Sequence, residues 1–390
     1  MDTRKTAPPL KIFSAFFRLG LTAFGGPAMV AYIRRLVVLD KEWVTEDSFK
    51  KGIALCQTIP GATAMQAAAY AGLRAGGPWG AVAAYVAFGL PAFVLMVTLS
   101  SIYVQVHDLP TVISLFSGLQ VIVIALIANA TISFGRRYLK MKQDIFLVTG
   151  SAIFLGLGGN PIIAILSSGA LGLLLYRRHS LECEEKKAAT ASTKSWEMMR
   201  PALFLLLLAG IFLSVLFILR PDLFSLAVLM MKIDFFAFGG GYASVPLLFH
   251  EVVKVHHWLS NQALIDGIAL GQVTPGPIVI TATFVGYLLA GFPGAVVGTV
   301  SIFTPSLFLL LLIVPFFDRL QHSIFLQRAL RGVLISFVGL LLAVTIRFGL
   351  AVHWTPISML ISACAFAALW KKINILWVVL VGAVISAMLL

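Results

Sequence analysis

The sequence predicts an all-α polytopic membrane protein, an inverted-topology repeat of two homologous helical halves with broken or re-entrant helices. Three observations carry this prediction. Of the 390 residues, 59% are hydrophobic and 12% charged, against roughly 45–50% and about 25% in a soluble domain. Too little polar surface remains to cover a water-soluble body, and the mean hydropathy of +0.97 agrees. The second observation is an internal duplication. Phe24-Gly25-Gly26 recurs as Phe238-Gly239-Gly240, GIALCQTIPG at 52–61 recurs as GIALGQVTPG at 267–276, and Trp43 and Pro91 recur as Trp258 and Pro305. The third is that four apolar runs, 12–37, 48–73, 223–250 and 263–290, exceed the length of a span and are interrupted midway by glycine or proline.

A helix of about 20 apolar residues crosses a bilayer core. In chain order that ruler gives the two broken runs 12–37 and 48–73, then 79–104, 111–134, 144–158 and 160–176. After a polar stretch comes 201–219, then the broken runs 223–250 and 263–290, then 294–318, 327–350, 355–370 and 373–390. Residues 1–176 thus form the first repeat, 177–222 a polar cytoplasmic linker with a connecting helix, and 223–390 the second repeat. One extra span between two copies turns the second copy over, as in many transporters.

Lysine and arginine orient the chain, because cytoplasmic loops hold the excess. If the four broken runs enter and leave by the same face, the two sides carry 24 and three Lys/Arg, with Arg18 and Lys232 left inside the membrane. This count favours nine spans plus four hairpins, with the N-terminus cytoplasmic and the C-terminus outside. Thirteen full spans give 20 against seven.

Proline removes a helix donor and glycine weakens a helix, so such breaks belong where they face protein or a water-filled cavity. A helix that starts inside the membrane points free N–H groups and a positive dipole end at whatever lies there. The breaks at Phe24, Gly25, Gly26 and Pro27, at Pro60 and Gly61, at Phe238, Gly239 and Gly240, and at Pro275 and Gly276 therefore predict an anion site near the midplane. Thr22, Gln57, Thr58, Gln66, Gln272 and Thr274 flank the breaks as further donors. Arg18 and Lys232 each lie six residues before their Phe-Gly-Gly motif, and an intramembrane cation is a functional candidate by default. Arg18 is also near enough to the start of its run to snorkel to the headgroups. Two cations with four helix starts suit a small dianion. Asp234, whose equivalent in the first repeat is Gly20, either pairs with Lys232 or is the candidate for proton coupling.

No metalloprotease, nucleophile-elbow, P-loop or paired-cysteine motif is present, so neither enzyme chemistry nor a nucleotide-driven pump is expected, and no cofactor or metal. Cys56, Cys183 and Cys364 are scattered. The net charge of +13 reflects cytoplasmic loops, not a nucleic-acid surface.

FFRLGLTAFGGPAMVAYIRR at 16–35, CQTIPGATAMQAAAYAG at 56–72, and AFGGGYASVPLL with GQVTPGPIVITATFVGY in the second half resemble the chromate ion transporter family in its long, two-domain form. The resemblance spans nearly the whole chain. It implies an inner-membrane protein that expels chromate, with sulfate as the structural analogue and energy from the membrane potential or a proton gradient. Arg18, Thr22, Phe24, Gly25, Gly26 and Pro27 match the family's first motif, and Gln57, Pro60 and Gly61 its second. The first half reads Pro-Gly-Ala where Pro-Gly-Pro is common. The expected partners are a chromate- or sulfate-like oxyanion and the lipid bilayer, and a homodimer fits equally. The alternatives are a transporter of sulfate or another oxyanion, or an anion channel.

Overall fold

A computed structural model describes residues 6–24, 28–177, 195–320 and 323–389. Residues Gly25, Gly26 and Pro27 and linker residues 178–194 lie outside the described set. The described chain is helical, without strands. The first half runs α1 (Pro9–Thr22), α2 (Ala28–Arg34) extended by a π-helical stretch (Arg35–Asp40), α3 (Glu46–Thr58), α4 (Thr63–Val106), α5 (Pro110–Tyr138), α6 (Lys142–Gly156) and α7 (Pro161–Leu175). α8 (Ser195–Leu219) leads to the second half. There follow α9 (Pro221–Phe236), α10 (Ser244–Leu248) extended by a second π-helical stretch (Phe249–Val255), and α11 (Asn261–Val273). The chain closes with α12 (Thr281–Ile313), the single turn α13 (Phe317–Leu320), α14 (Ile324–Ala351), α15 (Pro356–Trp370) and α16 (Ile375–Leu389).

The duplication extends to backbone detail. Both π-helical stretches end on the same bond, from Trp43 N–H to the Val37 carbonyl and from Trp258 N–H to the Val252 carbonyl, each 2.8 Å. Thr45 caps α3 by accepting from Ser48 N–H, and Ser260 caps α11 by accepting from Ala263 N–H, which satisfies one orphan donor at each helix start. α4 and α12 break at Gly76–Gly77 and Ala290–Gly291. Beyond each break the second segment folds back along the first, with Gly72 against Gly80 and Gly286 against Gly294. Small residues allow that close backbone approach within a membrane.

The broken runs are hairpins. Ala7 N–H bonds the Ala75 carbonyl at 2.9 Å, Arg34 Nε bonds Glu46 Oε2 at 2.9 Å, and the Tyr70 hydroxyl donates to the Ser48 carbonyl at 3.1 Å. These bonds put the starts of α1 and α3 and the ends of their return arms on one face. At the far end of α4, the Tyr103 hydroxyl donates to Asp266 Oδ2 at 2.9 Å, in the early turns of α11. The second pair of hairpins therefore enters from the opposite face, and the repeat is inverted.

α5 and α14 cross at the centre, where Thr131 and Thr345, equivalent residues of the two repeats, approach to 3.4 Å between hydroxyl oxygens. Their meeting marks the pseudo-twofold axis. α6 and α7 pack on α14, while α15 and α16 pack on α5, so each peripheral pair clasps the other half. Fully buried Asp144, at the start of α6, fixes one clasp by accepting from Arg331 Nη2 on α14 at 3.0 Å and from the Tyr176 hydroxyl at 2.6 Å. A buried charge is tolerable only when paired and hydrogen-bonded in this way.

α4, α5, Arg200–Leu219 of α8, Ile278–Phe316 and α14 are long and apolar enough to cross a membrane. α6, α7, α15 and α16 have 15 residues each, or about 22 Å at 1.5 Å per residue, short of the roughly 30 Å core. These four sequence-predicted spans are therefore shorter than the core they would cross. α8 lies at the periphery, with 11% of its apolar window buried and Leu207 and Ile218 61% and 75% exposed.

Candidate anion-binding cavity

The hairpin tips of the two halves are tied to each other. Gly61 N–H donates to the Ala237 carbonyl at 2.9 Å, and Gly276 N–H donates to the Ala23 carbonyl at 3.1 Å. Both glycines hold positive φ, +113° and +123°, which a side chain opposes. A Cβ at Gly61 would also collide with the Ser306 hydroxyl, and one at Gly276 would press on Ala92 Cβ at 2.8 Å. Proline-glycine at these tips thus answers a backbone requirement.

Beside the crossed bonds lies a cavity of about 290 Å³. Every broken run reaches it. Met29 and Val30 come from α2, Thr63 and Ala64 from the start of α4, Gly240 and Tyr242 from the turn before α10, and Pro277 and Ile278 from the turn before α12. The starts at Ala62, Gly240 and Pro277 have no side-chain cap. Their first N–H groups, including those of Thr63, Gly241 and Ile278, have no acceptor within their own helix and are available to an anion.

One cation completes the wall. Arg137, from the end of α5, donates through Nη2 to Gln57 Oε1 at 2.8 Å, and both residues line the cavity with Phe134 and Tyr138. The Gln57 contact leaves the rest of the guanidinium edge for a ligand, since arginine carries five donors in a planar fork. One water takes roughly 30 Å³ of liquid volume, so the cavity accommodates a small oxyanion with part of its hydration shell.

Of the residues singled out from the sequence, Gln57, Gly239 and Gly240 line this cavity. Pro60, Gly61, Pro275 and Gly276 are buried in the tips behind it. Gln66 is buried there as well, its Nε2 donating to the Pro60 carbonyl at 2.6 Å, and Gln272 is 8% exposed. Phe24 and Phe238 are half-buried. Three hydroxyls are turned to their own backbones: Thr22 to the Leu19 carbonyl at 3.2 Å, Thr58 to Leu55 at 2.8 Å and Thr274 to Gly271 at 3.1 Å. Gly25, Gly26 and Pro27 fall outside the described residues.

The two cations of the symmetric pattern do not line the cavity. Arg18 is exposed on α1, away from the buried face of Ile12, Phe16 and Gly20. Lys232 forms an ion pair with Glu251 at 2.8 Å. Arg137, Thr63 and Tyr242 are among the wall residues that sequence reasoning missed. The signal for Arg137 is the Arg136-Arg137 pair closing the 111–134 run; its repeat equivalent is Ala351, so a search for symmetric cations passes over it.

The two sides of the pseudo-twofold differ. Gln57, Thr63 and Phe134 are half-buried and Arg137 is exposed. Their counterparts Gln272, Ile278 and Phe348 are 8%, 5% and 0% exposed, and Phe348 stacks edge-on against Phe249. The cavity thus opens to the face from which α1 and α3 enter, whereas Gln272, Ile278 and Phe348 are buried on the other side of the pseudo-twofold.

An inverted helical repeat with re-entrant tips around a shared cavity defines a multi-pass membrane protein of the transporter type. The chromate transporter family model matches residues 10–173 and again 224–387, and the chain belongs to that family. It is 44% identical over 390 residues to an uncharacterised transporter of Methanocaldococcus jannaschii, covering 100% of this chain and 96% of that one. It is 32% identical to a chromate transport protein of Pseudomonas aeruginosa, covering 97% and 92% of the two chains. With a probable chromate transport protein of Synechococcus elongatus it shares 31% identity over 91% and 88%. No solved structure matches the chain.

Proposed function

We propose that this protein is a secondary transporter that carries chromate out of the cytoplasm, binding the dianion in the cavity beside Arg137. The observation that carries the reading is the convergence of four interrupted runs and one guanidinium on a single space. Uncapped N–H groups from three starts approach an anion from different directions, which suits a tetrahedral oxyanion better than a planar or elongated one. Positive-inside loops put the open face in the cytoplasm and the C-terminus outside. The state described is then the one that loads from the cytoplasm.

The unequal burial of repeat-equivalent residues supports a carrier over a channel, because a channel is open at both faces when it conducts. Release follows when the halves exchange conformations: Phe348 and Gln272 loosen as Phe134 and Gln57 close. The crossed bonds at Gly61 and Gly276 are the contacts about which this exchange turns. Energy comes from the membrane potential, the proton gradient or both.

Chromate flux in proteoliposomes holding the purified chain tests the proposal, with sulfate as competitor. Saturable chromate movement, weakened by replacing Arg137, is the expected result. Sulfate flux with no chromate flux would move the assignment to sulfate, and flux of neither, in folded protein, would remove it.

A further inference from the structure

Beside the crossed bond, on the side away from the cavity, lies a buried polar cluster that the anion site does not use. Asp234 of α9 is 0% exposed. Its Oδ2 accepts from the Ser306 N–H at 2.8 Å and from the Ser306 hydroxyl at 2.5 Å, while Oδ1 has no partner. Gln66 is also 0% exposed; its Nε2 is taken by the Pro60 carbonyl, and its Oε1 has no partner. Ser306, which holds Asp234, and Gln66 flank Gly61, where a Cβ would meet both the Ser306 hydroxyl and Gln66 Nε2. Two buried oxygens therefore lack a donor within one small cluster.

Among the described residues no cation is bonded to the cluster. From α4, the Tyr85 hydroxyl is committed to the Phe303 carbonyl at 2.8 Å. From α12, Ser306 donates to Asp234 through both its N–H and its hydroxyl. On α9 itself, Lys232 is paired with Glu251, and Asp222 with Arg220 at the helix start. α8 beyond Arg200 and α10 carry no ionisable residue. An isolated buried carboxylate is expensive, and so is a buried acceptor without a donor. A proton on Oδ1 removes the charge and supplies the donor that the cluster lacks.

The cluster is wired to the cavity by backbone. Ala237 N–H bonds the Asp234 carbonyl at 3.2 Å, the Ala237 carbonyl accepts from Gly61, and Gly239 and Gly240 follow as cavity wall. We infer that Asp234 carries the proton of a proton-coupled transport cycle, with Ser306 and Gln66 reading its charge and the Gly61–Ala237 bond passing the change to the anion cavity. Charged, Asp234 holds both Ser306 donors; protonated, it also has a hydrogen to give. Gly20 and Ala92 occupy the equivalent positions in the first half, so this cluster has no counterpart there.

This inference rests on the oxyanion-transport reading, and the experiment separates the two. Proteoliposomes are assayed for chromate–chromate exchange without an ion gradient and for chromate accumulation driven by a pH gradient. Wild-type protein is expected to do both. Asp234→Asn is expected to lose at least tenfold of the gradient-driven accumulation while exchange stays within about threefold, since a tenfold loss corresponds to about 1.4 kcal/mol of lost coupling. Ser306→Ala keeps the acid but removes a donor from the carboxylate form. It is expected to raise the pH midpoint of accumulation by about one unit. Gradient-driven accumulation by Asp234→Asn at wild-type level, or an unmoved midpoint in Ser306→Ala, would overturn the proton assignment and leave the transport reading standing. Wild-type accumulation driven by sodium and not by pH would overturn it in favour of a metal-cation site. Absence of both exchange and accumulation in folded wild-type protein would remove the transport reading and the inference together.

Discussion

Gly61 donates its backbone N–H to the carbonyl oxygen of Ala237 at 2.9 Å, and the equivalent pair across the repeat, Gly276 and Ala23, makes the same bond at 3.1 Å. Each bond joins the tip of a second hairpin in one half to the end of the first helix in the other. Replacing Gly61 or Gly276 by alanine forces a side chain into positive φ, at a cost of about 1–3 kcal/mol each. Each variant is expected to lose at least tenfold of its chromate flux and to unfold at lower temperature in detergent. Flux assays and thermal melts of the two single variants check this.

Arg137 is the cation at the cavity, so its charge should show in substrate affinity. Arg137→Gln is expected to raise the KM for chromate about tenfold, in line with roughly 1.5–3 kcal/mol for a hydrogen bond to a charged group. Arg137→Lys should recover part of that loss, because lysine keeps the charge without the planar fork. Arg18→Gln should leave KM within twofold. Concentration dependence of initial flux checks all three.

Lys232 offers a contrast. Its partner Glu251 has a side chain 4% exposed, while that of Lys232 is 39% exposed. Lys232→Gln leaves a buried carboxylate without its ion partner and should destabilise the protein by about 1–2 kcal/mol, less than the ~3–5 of a fully buried pair. KM should stay close to wild type. Denaturation in detergent, set beside flux, separates the two effects.

The breaks were legible in the sequence because few residue types meet a broken helix in a membrane. Gly61 and Gly276 stand where φ is positive, and their spacing marks the duplication in the sequence itself. Arg18 and Lys232 stand apart from the cavity for a physical reason. An apolar run with one arginine reads as an intramembrane charge, yet the turn of α1 puts Arg18 on its exposed side. Glu251 lies 19 residues beyond Lys232, outside any pattern within one helix. Arg137 serves the cavity only because α5 crosses beside the hairpin tips; the Arg136-Arg137 pair marks the end of an apolar run and says nothing of that crossing.

Orientation has its own test. In a background with Cys183 and Cys364 replaced by serine, Lys51→Cys should react with a membrane-impermeant thiol reagent from the cytoplasmic side and Lys254→Cys from outside. Both positions are exposed at the mouths of their hairpins. Thirteen full spans would put each on the opposite side.

The decisive measurement is the position of bound substrate. Crystals grown with chromate and measured near the chromium absorption edge would locate the metal of the anion directly. Density between the Arg137 guanidinium and the backbone N–H groups of Thr63 and Gly241 is the predicted result; a chromium peak elsewhere in the membrane interior, with that cavity empty at saturating chromate, would contradict it.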